Sequence, residues 1–248
     1  MEILGIDIGG SSLKGALVDV RNGELKTLTH RIPTPADRKP EGIAKAVKEM
    51  VAHFDYKGVV GCGFPTIVKN GYCKHEGNLS KDWVDMNVDA LFEETTGLKF
   101  TVINDADAAG LAEVQFGAGR NLDGFILMIT IGTGLGSGAY LRGELIPNFE
   151  LGQIPYKQFE KIEDWAASSI KTEEGLSYKE WGKRFNVFLQ YIEKILNPDT
   201  ILIGGGISND WNKFEKHLHT RVKLIPAELR NDSGILGAAI AAHHKYSG

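Results

Sequence analysis

Short apolar runs and longer stretches of helical spacing take turns along this chain. Ile3-Leu4-Gly5-Ile6-Asp7-Ile8 is a compact apolar run carrying one acid, followed by the turn residues Gly9-Gly10-Ser11-Ser12. Residues 14–20 resume a strand, Asn22-Gly23 is a hairpin signal, and residues 25–32 read as a third strand. Ile43, Val47, Met50, Val51 and Phe54 fall at helical spacing and predict a helix over 41–54. A buried-type strand over 58–64 ends at Pro65. Two short strand pieces around Val68 and Tyr72 straddle Asn70-Gly71, and 77–86 reads as a loop holding Asn78, Lys81, Asp82 and Trp83. A helix over about 87–96 leads to a strand over 100–103, and Asn104-Asp105 opens a small-residue helix over 106–116.

The second half repeats the opening. An apolar strand over 125–131 meets the turn Gly132-Thr133-Gly134-Leu135-Gly136-Ser137-Gly138, a strand over 139–141, the tight turn Arg142-Gly143, and a strand over 144–146. Apolar strand, Gly-rich turn, strand, tight turn and strand occur twice, about half a chain apart, which reads as an internal duplication of supersecondary structure. In both copies the Gly-rich turn joins two strands. That excludes a Rossmann fingerprint and a Walker A loop, because both lead into helices. A helix over 159–170 follows. Ser177-Tyr178-Lys179-Glu180 has the capping-box form and starts a long helix with Trp181, Phe185, Phe188, Leu189, Ile192, Ile195 and Leu196 on one face, stopped by Asn197-Pro198. A strand over 200–203, the turn Gly204-Gly205-Gly206, a helix over 211–219, a strand over 222–225 and an apolar helix over 234–242 complete an α/β chain.

Composition narrows the function classes. The 248 residues are 42% hydrophobic and 24% charged, ordinary for a soluble globular protein and enough for one large domain or two modest ones. A net charge of −4 disfavours bulk attraction to nucleic acid or an anionic membrane, while leaving room for a local basic pocket. The cysteines, Cys62 and Cys73, form no CxxC pair, so a cysteine zinc site is not expected. The start of the chain reads as a strand rather than a signal peptide, and no run approaches 18 apolar residues, so the expected location is the cytoplasm.

Asn104-Asp105 places an amide and a carboxylate at the C-terminal edge of a strand, the edge where α/β proteins bind ligands. Taken alone, the pair reads as a cap of the next helix ahead of a catalytic site. Three Gly-rich turns, at Gly9-Gly10, Gly132-Thr133-Gly134 and Gly204-Gly205-Gly206, each follow a buried strand. Any one is an ordinary tight turn. Together they offer backbone N–H groups that can approach a phosphate. Asp7 is a candidate to hold a hydrated Mg²⁺ against phosphate oxygens, and Lys14 to neutralise a phosphate. Phosphoryl transfer needs positioned phosphates, charge neutralisation and a carboxylate to take the proton of the attacking hydroxyl. Asp105 is the candidate base, and Asn78, Asn104 and Glu150 are candidates to hydrogen-bond a polyol.

Asp7-Ile8-Gly9-Gly10-Ser11 with Lys14-Gly15, the run from Asn104 to Gly110, Gly132-Thr133-Gly134-Leu135-Gly136 and Glu150-Leu151-Gly152 resemble the ROK family of sugar kinases, and most of all its polyphosphate glucokinase branch. The resemblance takes in the Arg31-Ile32-Pro33-Thr34-Pro35 loop, Gly204-Gly205-Gly206-Ile207-Ser208 and Leu229-Arg230-Asn231. It implies an actin-like ATPase fold of two RNase H-like α/β domains around a cleft: residues 1–106, completed by a C-terminal helix over 234–246, and residues 107–233. It implies a cytoplasmic homodimer that transfers a phosphoryl group from ATP or inorganic polyphosphate, with Mg²⁺, to a hexose hydroxyl. Asp105 would be the base. Asn78, Asn104, Glu150 and Gln153 would face the sugar. Asp7, Gly9, Gly10, Ser11, Lys14 and the two later Gly-rich turns would face the donor. The cysteine-rich zinc motif of many members is missing, and the DNA-binding segment of ROK repressors is not expected.

The chain departs from the family on one wall. Where the family has Glu-Leu-Gly-His-Leu-Glu, this chain reads Glu150-Leu151-Gly152-Gln153-Ile154-Pro155, so a sugar-contacting His is Gln153 and a second Glu is Pro155. A sugar-sensing protein with reduced or no turnover is therefore the competing reading. Donor choice is not legible: Lys14, Lys74 and Arg230 are candidates for a polyphosphate track by neighbourhood alone.

Overall fold

A strand that is apolar at successive positions must be covered on both faces. β1 (Glu2–Ile8) buries Ile3, Leu4, Ile6 and Ile8 alike. In the computed structural model, which describes residues 1–77 and 79–247, β1 turns at Gly9-Gly10 and runs back antiparallel as β2 (Ser12–Asp19). The single strand expected over 25–32 is two: β3 (Glu24–Leu25) and β4 (His30–Pro33) lie on β2 at opposite ends. Between them the Leu17 N–H donates to the Thr27 hydroxyl at 3.1 Å. A side chain thus replaces a ladder carbonyl, and Leu28 swings out to 92% exposure.

α1 (Pro40–His53) starts on a proline, which suits a first helical turn. β5 (Val60–Phe64) is buried throughout. β6 (Val68–Lys69) and β7 (Tyr72–Cys73) form the expected hairpin, with Asn70 and Gly71 at φ of 55° and 79°. α2 (Val88–Thr96) is capped by the Asn87 side chain and ends at left-handed Gly97. β8 (Phe100–Asn104) then passes directly into α3 (Asp105–Phe116). The sheet order is β3-β2-β1-β5-β8, with β4 beside β2; β1, β5 and β8 are parallel.

The second sheet repeats that order. β9 (Phe125–Ile131), β10 (Leu135–Leu141) and β11 (Glu144–Ile146) form a meander, while β12 (Thr200–Gly204) and β13 (Lys223–Pro226) extend it in parallel, giving β11-β10-β9-β12-β13. The turn expected over 132–138 is only Gly132–Gly134, because residues 135–138 pair with β9 from Leu135↔Ile131 onward. The helix expected over 159–170 starts later and is broken: α4 (Glu163–Ala166) and α5 (Ser168–Glu173) are separated by extended Ala167. Trp181 Nε1 holds the break by donating to the Ala166 and Ala167 carbonyls at 2.9 and 3.1 Å.

α6 (Tyr178–Leu196) opens on the predicted capping box, with the Ser177 hydroxyl accepting from the Glu180 N–H and the Glu180 carboxylate from the Ser177 N–H. Ile195 is not on its buried face; it is 63% exposed, one turn beyond Ile192, the last fully buried residue of that stripe. The helix expected over 211–219 is only α7 (Trp211–Phe214) followed by a 3₁₀ turn, Glu215–His217. Asn186 Oδ1 accepts the His219 N–H at 2.5 Å and draws the chain out of helix.

Packing divides the chain into two compact units, Met1–Ala112 with the residues from Asp232 onward, and Glu113–Asn231. In the first unit the last helix, α8 (Ser233–Ser247), lies on the sheet. Cβ atoms at Gly5 and Gly61 would run into the Ile235 and Ala238 carbonyls, and one at Gly237 into the Ala108 carbonyl of α3. Backbone therefore meets backbone at each crossing, where only glycine leaves room. No helix among the described residues is long and apolar enough to cross a membrane.

Gly61→Ala inserts a methyl against a carbonyl that cannot move without shifting α8. We expect a loss of about 1–3 kcal/mol or more in urea-unfolding stability. A loss below the error of the measurement would show that α8 is not seated at this depth.

Candidate active site

In the first unit, Asp105 is the first residue of α3 and follows the last residue of β8, so its side chain leaves the C-terminal edge of a parallel strand. Asn104 is 5% exposed and caps the helix: its Oδ1 accepts from the Ala106 and Asp107 N–H groups at 2.9 and 3.1 Å, and its Nδ2 donates to Thr66 O at 3.3 Å. The capping reading thus holds for Asn104. An amide with both acceptor sites and one donor committed has one N–H left to offer a ligand. Asp105 Oδ1 accepts its neighbour Ala106's N–H at 2.8 Å, and the positive end of the helix favours an anion there.

Asp7 stands beside Asp105 across Gly63. A Cβ at Gly63 would lie 3.7 Å from Asp105 Cα and 3.8 Å from Asp7 Oδ1. Gly234, at the start of α8, is closer still to Asp7, with a Cβ there falling 2.9 Å from the Asp7 carboxyl carbon. Lys14, expected to face a phosphate, donates to Asp7 Oδ2 at 3.2 Å from the adjacent position across the β1–β2 ladder. The Gly9–Ser12 turn is pinned by Thr34, whose hydroxyl donates to Gly9 O at 2.6 Å and whose N–H donates to Ser11 O at 3.1 Å. Gly10 and Ser11 are exposed. Asn78 lies outside the described residues. Lys74 is spent on Asp85 at 2.7 Å, on the β6–β7 hairpin.

The glycines of the two Gly-rich turns of the second unit separate into two groups. A Cβ at Gly204 would strike Met128, one at Gly205 the Ile131 backbone, and one at Gly134 the Glu163 carboxylate, so internal packing accounts for these three. Gly205 also holds a φ of 81°. A Cβ at Gly132 or Gly206, as at Gly10 in the first unit, would meet nothing within 4 Å. Neither packing nor a positive φ demands glycine at these three open positions, and they are where backbone can approach a ligand. The Gly132–Gly134 turn is held from α5, with the Ser168 and Ser169 hydroxyls donating to the Gly132 and Thr133 carbonyls at 2.8 Å each.

Glu150 is fixed from both sides by one buried hydroxyl. Ser137, on β10, donates to Phe149 O at 2.8 Å and accepts the Leu151 N–H at 2.9 Å. Residues Leu151–Gln153 then form a 3₁₀ turn. Burial, and then the negative charge of Glu163, raise the Glu150 carboxyl from 4.5 to about 7.

Glu163 escaped the sequence reading, although it organises this wall. One carboxylate oxygen accepts the Leu135 N–H at 3.0 Å, directly after the Gly132–Gly134 turn. The other accepts from Gln153 Nε2 at 2.8 Å and from Lys161 Nζ at 3.1 Å. In the sequence Ile162-Glu163-Asp164-Trp165 looks like any acidic first turn of a helix, and nothing marks Glu163 as different. Gln153 is exposed and bound to Glu163, and Pro155 is exposed.

Comparisons with known proteins agree on one family. A model described as the ROK family matches residues 3–148. The polyphosphate glucokinase of Mycobacterium tuberculosis is 39% identical over 239 residues, covering 96% of this chain and 90% of that protein. Among solved structures, the inorganic polyphosphate/ATP-glucomannokinase from Arthrobacter sp. strain KM superposes with a TM-score of 0.94 at 37% identity, covering 99% of each chain. A ROK family glucokinase from Streptomyces griseus, solved with glucose and AMPPNP, gives a TM-score of 0.84 at 22% identity, covering 98% of this chain and 100% of that one, and shares the fold.

Glu150 makes the fold sensitive to pH in a defined direction. Its carboxyl binds a proton up to about pH 7 when folded but only to about 4.5 when unfolded, so the native state holds more protons in that window. Its contribution to stability is then fully present at low pH and lost as pH rises from about 4.5 through 7. Urea midpoints of Glu150→Gln measured across this window should lack that fall. Parallel curves for wild type and variant would refute the assignment.

Proposed function

The chain belongs to the ROK family, and from that premise we propose that it is a sugar kinase, transferring a phosphoryl group from polyphosphate or ATP to a hydroxyl of a glucose-like hexose with Asp105 as general base. Its fold is that of the actin-like ATPases. The observation that carries the base assignment is the position of Asp105, on the first turn of α3 at a strand's C-terminal edge with Asp7 across Gly63. The resemblance of the whole chain to polyphosphate glucokinases and a glucomannokinase favours turnover over sensing.

The division of labour follows from the chemistry of each group. The Asp105 carboxylate accepts the proton of the attacking sugar hydroxyl as the O–P bond forms. The remaining N–H of Asn104 donates to a sugar oxygen. Asn78 carries a sugar-facing role from the family pattern alone. On the second unit Glu150, titrating near 7, both donates and accepts near neutrality, which suits a hydroxyl partner that does the same. Glu163 and Gln153 stand beside it as one bonded pair. Gln153 keeps a hydrogen-bonding amide where the family has an imidazole, so the wall is altered but still polar.

The open backbone at Gly10, Gly132 and Gly206 receives donor phosphates, with Gly9, Ser11, Thr133, Gly134, Gly204 and Gly205 shaping those turns. Mg²⁺ fits Asp7. Among the described residues no group of three or more His, Cys, Asp or Glu forms a metal cage, and Mg²⁺ takes one or two carboxylates with phosphate and water as its other ligands. Bound there, it would neutralise charge on the transferring phosphoryl group. Lys14, paired with Asp7, keeps that carboxylate in place and adds a positive charge beside it. A cytoplasmic location and a homodimeric state complete the proposal, the latter checked by sedimentation.

Asp105→Asn keeps the shape and removes the proton acceptor. With glucose, mannose and amino sugars as acceptors and either donor, kcat should fall roughly 10²–10⁴-fold while the thermal midpoint and sugar binding hold. Undiminished turnover would remove Asp105 from the role of base. No phosphorylated product from wild type with any sugar and either donor would overturn the kinase reading.

A further inference from the structure

The donor turns of the second unit border a band of lysines that the transfer chemistry itself does not use. Gly205 packs on the Ile131 backbone, so the Gly132–Gly134 and Gly205-Gly206 turns lie side by side. From the first of them, α5 leads through Ser168 and Ser169 to Lys171, whose ammonium sits 4.2 Å from the centre of the Tyr178 ring. From the second, the turn Gly206–Asp210 leads to Asp210, which accepts the Tyr178 hydroxyl at 2.5 Å and pairs with Lys213 at 2.7 Å. Lys213 is itself 5.3 Å from the centre of the same ring. Two ammoniums thus converge on one aromatic ring at the margin of both turns.

The positive charge continues away from the turns. His217 packs on α6 at Gly182, where a Cβ would lie 3.1 Å from the His217 Cβ. Lys179 and Lys183 flank that glycine on α6, one helical turn apart, and Lys216 precedes His217. Lys179, Lys183, Lys213 and Lys216 are exposed. The His217 imidazole is held below its ordinary range by desolvation and by the charges of Lys216, Lys179, His219 and Lys183, as expected where cations crowd together. Asp210 is paired within the band to Lys213 and accepts the Tyr178 hydroxyl, while Glu180 is committed to the Ser177 cap and Glu174 to Arg184. Glu173 and Glu215 are the remaining acids of these segments.

We propose that this band, from Lys171 and Lys213 at Tyr178 to Lys216, Lys179 and Lys183, is the track that holds the distal phosphates of a linear polyphosphate while its end occupies the donor turns. The inference rests on the kinase reading for what happens at the turns, and on the band alone for binding. A polyanion with one charge per repeat gains counterion release from every lysine along such a path. A nucleoside triphosphate ends after three phosphates and has no charge to lay along it.

The test separates the two layers. Lys179→Gln, Lys183→Gln and Lys216→Gln combined, all exposed and away from the turns, should raise Kd for labelled long-chain polyphosphate roughly tenfold or more and flatten its salt dependence. The matching lysine-to-arginine triple should bind as wild type does. KM for ATP and for tripolyphosphate should stay within about twofold, since neither reaches the far end of the band. An unchanged Kd, or an equal loss for ATP and long-chain polyphosphate, overturns the track. Wild type that phosphorylates hexoses from ATP yet does not bind polyphosphate leaves the kinase reading and removes the track. Binding through these lysines without any transfer does the reverse.

Discussion

The first unit depends on glycines that let α8 touch the sheet backbone to backbone. Gly5 and Gly61 lie under the Ile235 and Ala238 carbonyls, and Gly237 lies under that of Ala108. A side chain at any of them would lift the helix. That closeness has a chemical consequence. It brings the N-terminal turn of α8 down onto Asp7 through Gly234, while Gly63 lies against both Asp7 and Asp105. Two carboxylates, one on β1 and one at the start of α3, are set near each other by residues that carry no chemistry. The positive ends of α3 and α8 lie where negative charge is gathered, which is the electrostatic requirement for holding acids and phosphates together.

The second unit solves a different problem, how to hold a polar wall that is partly buried. Ser137 satisfies the backbone on both sides of Glu150, and Glu163 satisfies the N–H that follows the Gly132–Gly134 turn while binding Gln153. Burial of Glu150, and then the negative charge of Glu163, appear as the raised proton affinity of Glu150. The replacement of the family's His and Glu by Gln153 and Pro155 is absorbed within this network: Glu163 bonds the amide, and exposed Pro155 lies outside it. Glu163 touches both the residue that follows the Gly132–Gly134 turn and Gln153, so that turn and the Glu150–Gln153 wall share one support.

Much of the fold was legible because it is written in local patterns. The repeated meander, the capping box at Ser177, the left-handed turns at Asn70-Gly71 and Arg142-Gly143, and Asn104-Asp105 at a strand end all depend on residues near one another in sequence. The misreadings have a common origin. The strand over 25–32 breaks because the Thr27 hydroxyl bonds across to Leu17, the helix over 159–170 because Trp181 reaches back to Ala166 and Ala167, and the helix over 211–219 because Asn186 draws in His219. Each is a long-range hydrogen bond that overrides a local preference.

The sequence by itself determined the succession of most elements along the chain, the repeated architecture, the family and the position of Asp105 in the chain, since periodicity, turn chemistry and short motifs act over a few residues. Only the tertiary structure decided which glycines stand open to a ligand and which are required by packing, because a Cβ clash exists only between segments distant in the chain. It also decided that Asn104 is largely spent as a cap, that Lys14 answers Asp7 and Lys74 answers Asp85, and that Glu163 stands behind Glu150 and Gln153. Charge and hydrogen-bonding capacity belong to single residues. Whether they remain available to a substrate depends on what the fold has placed against them.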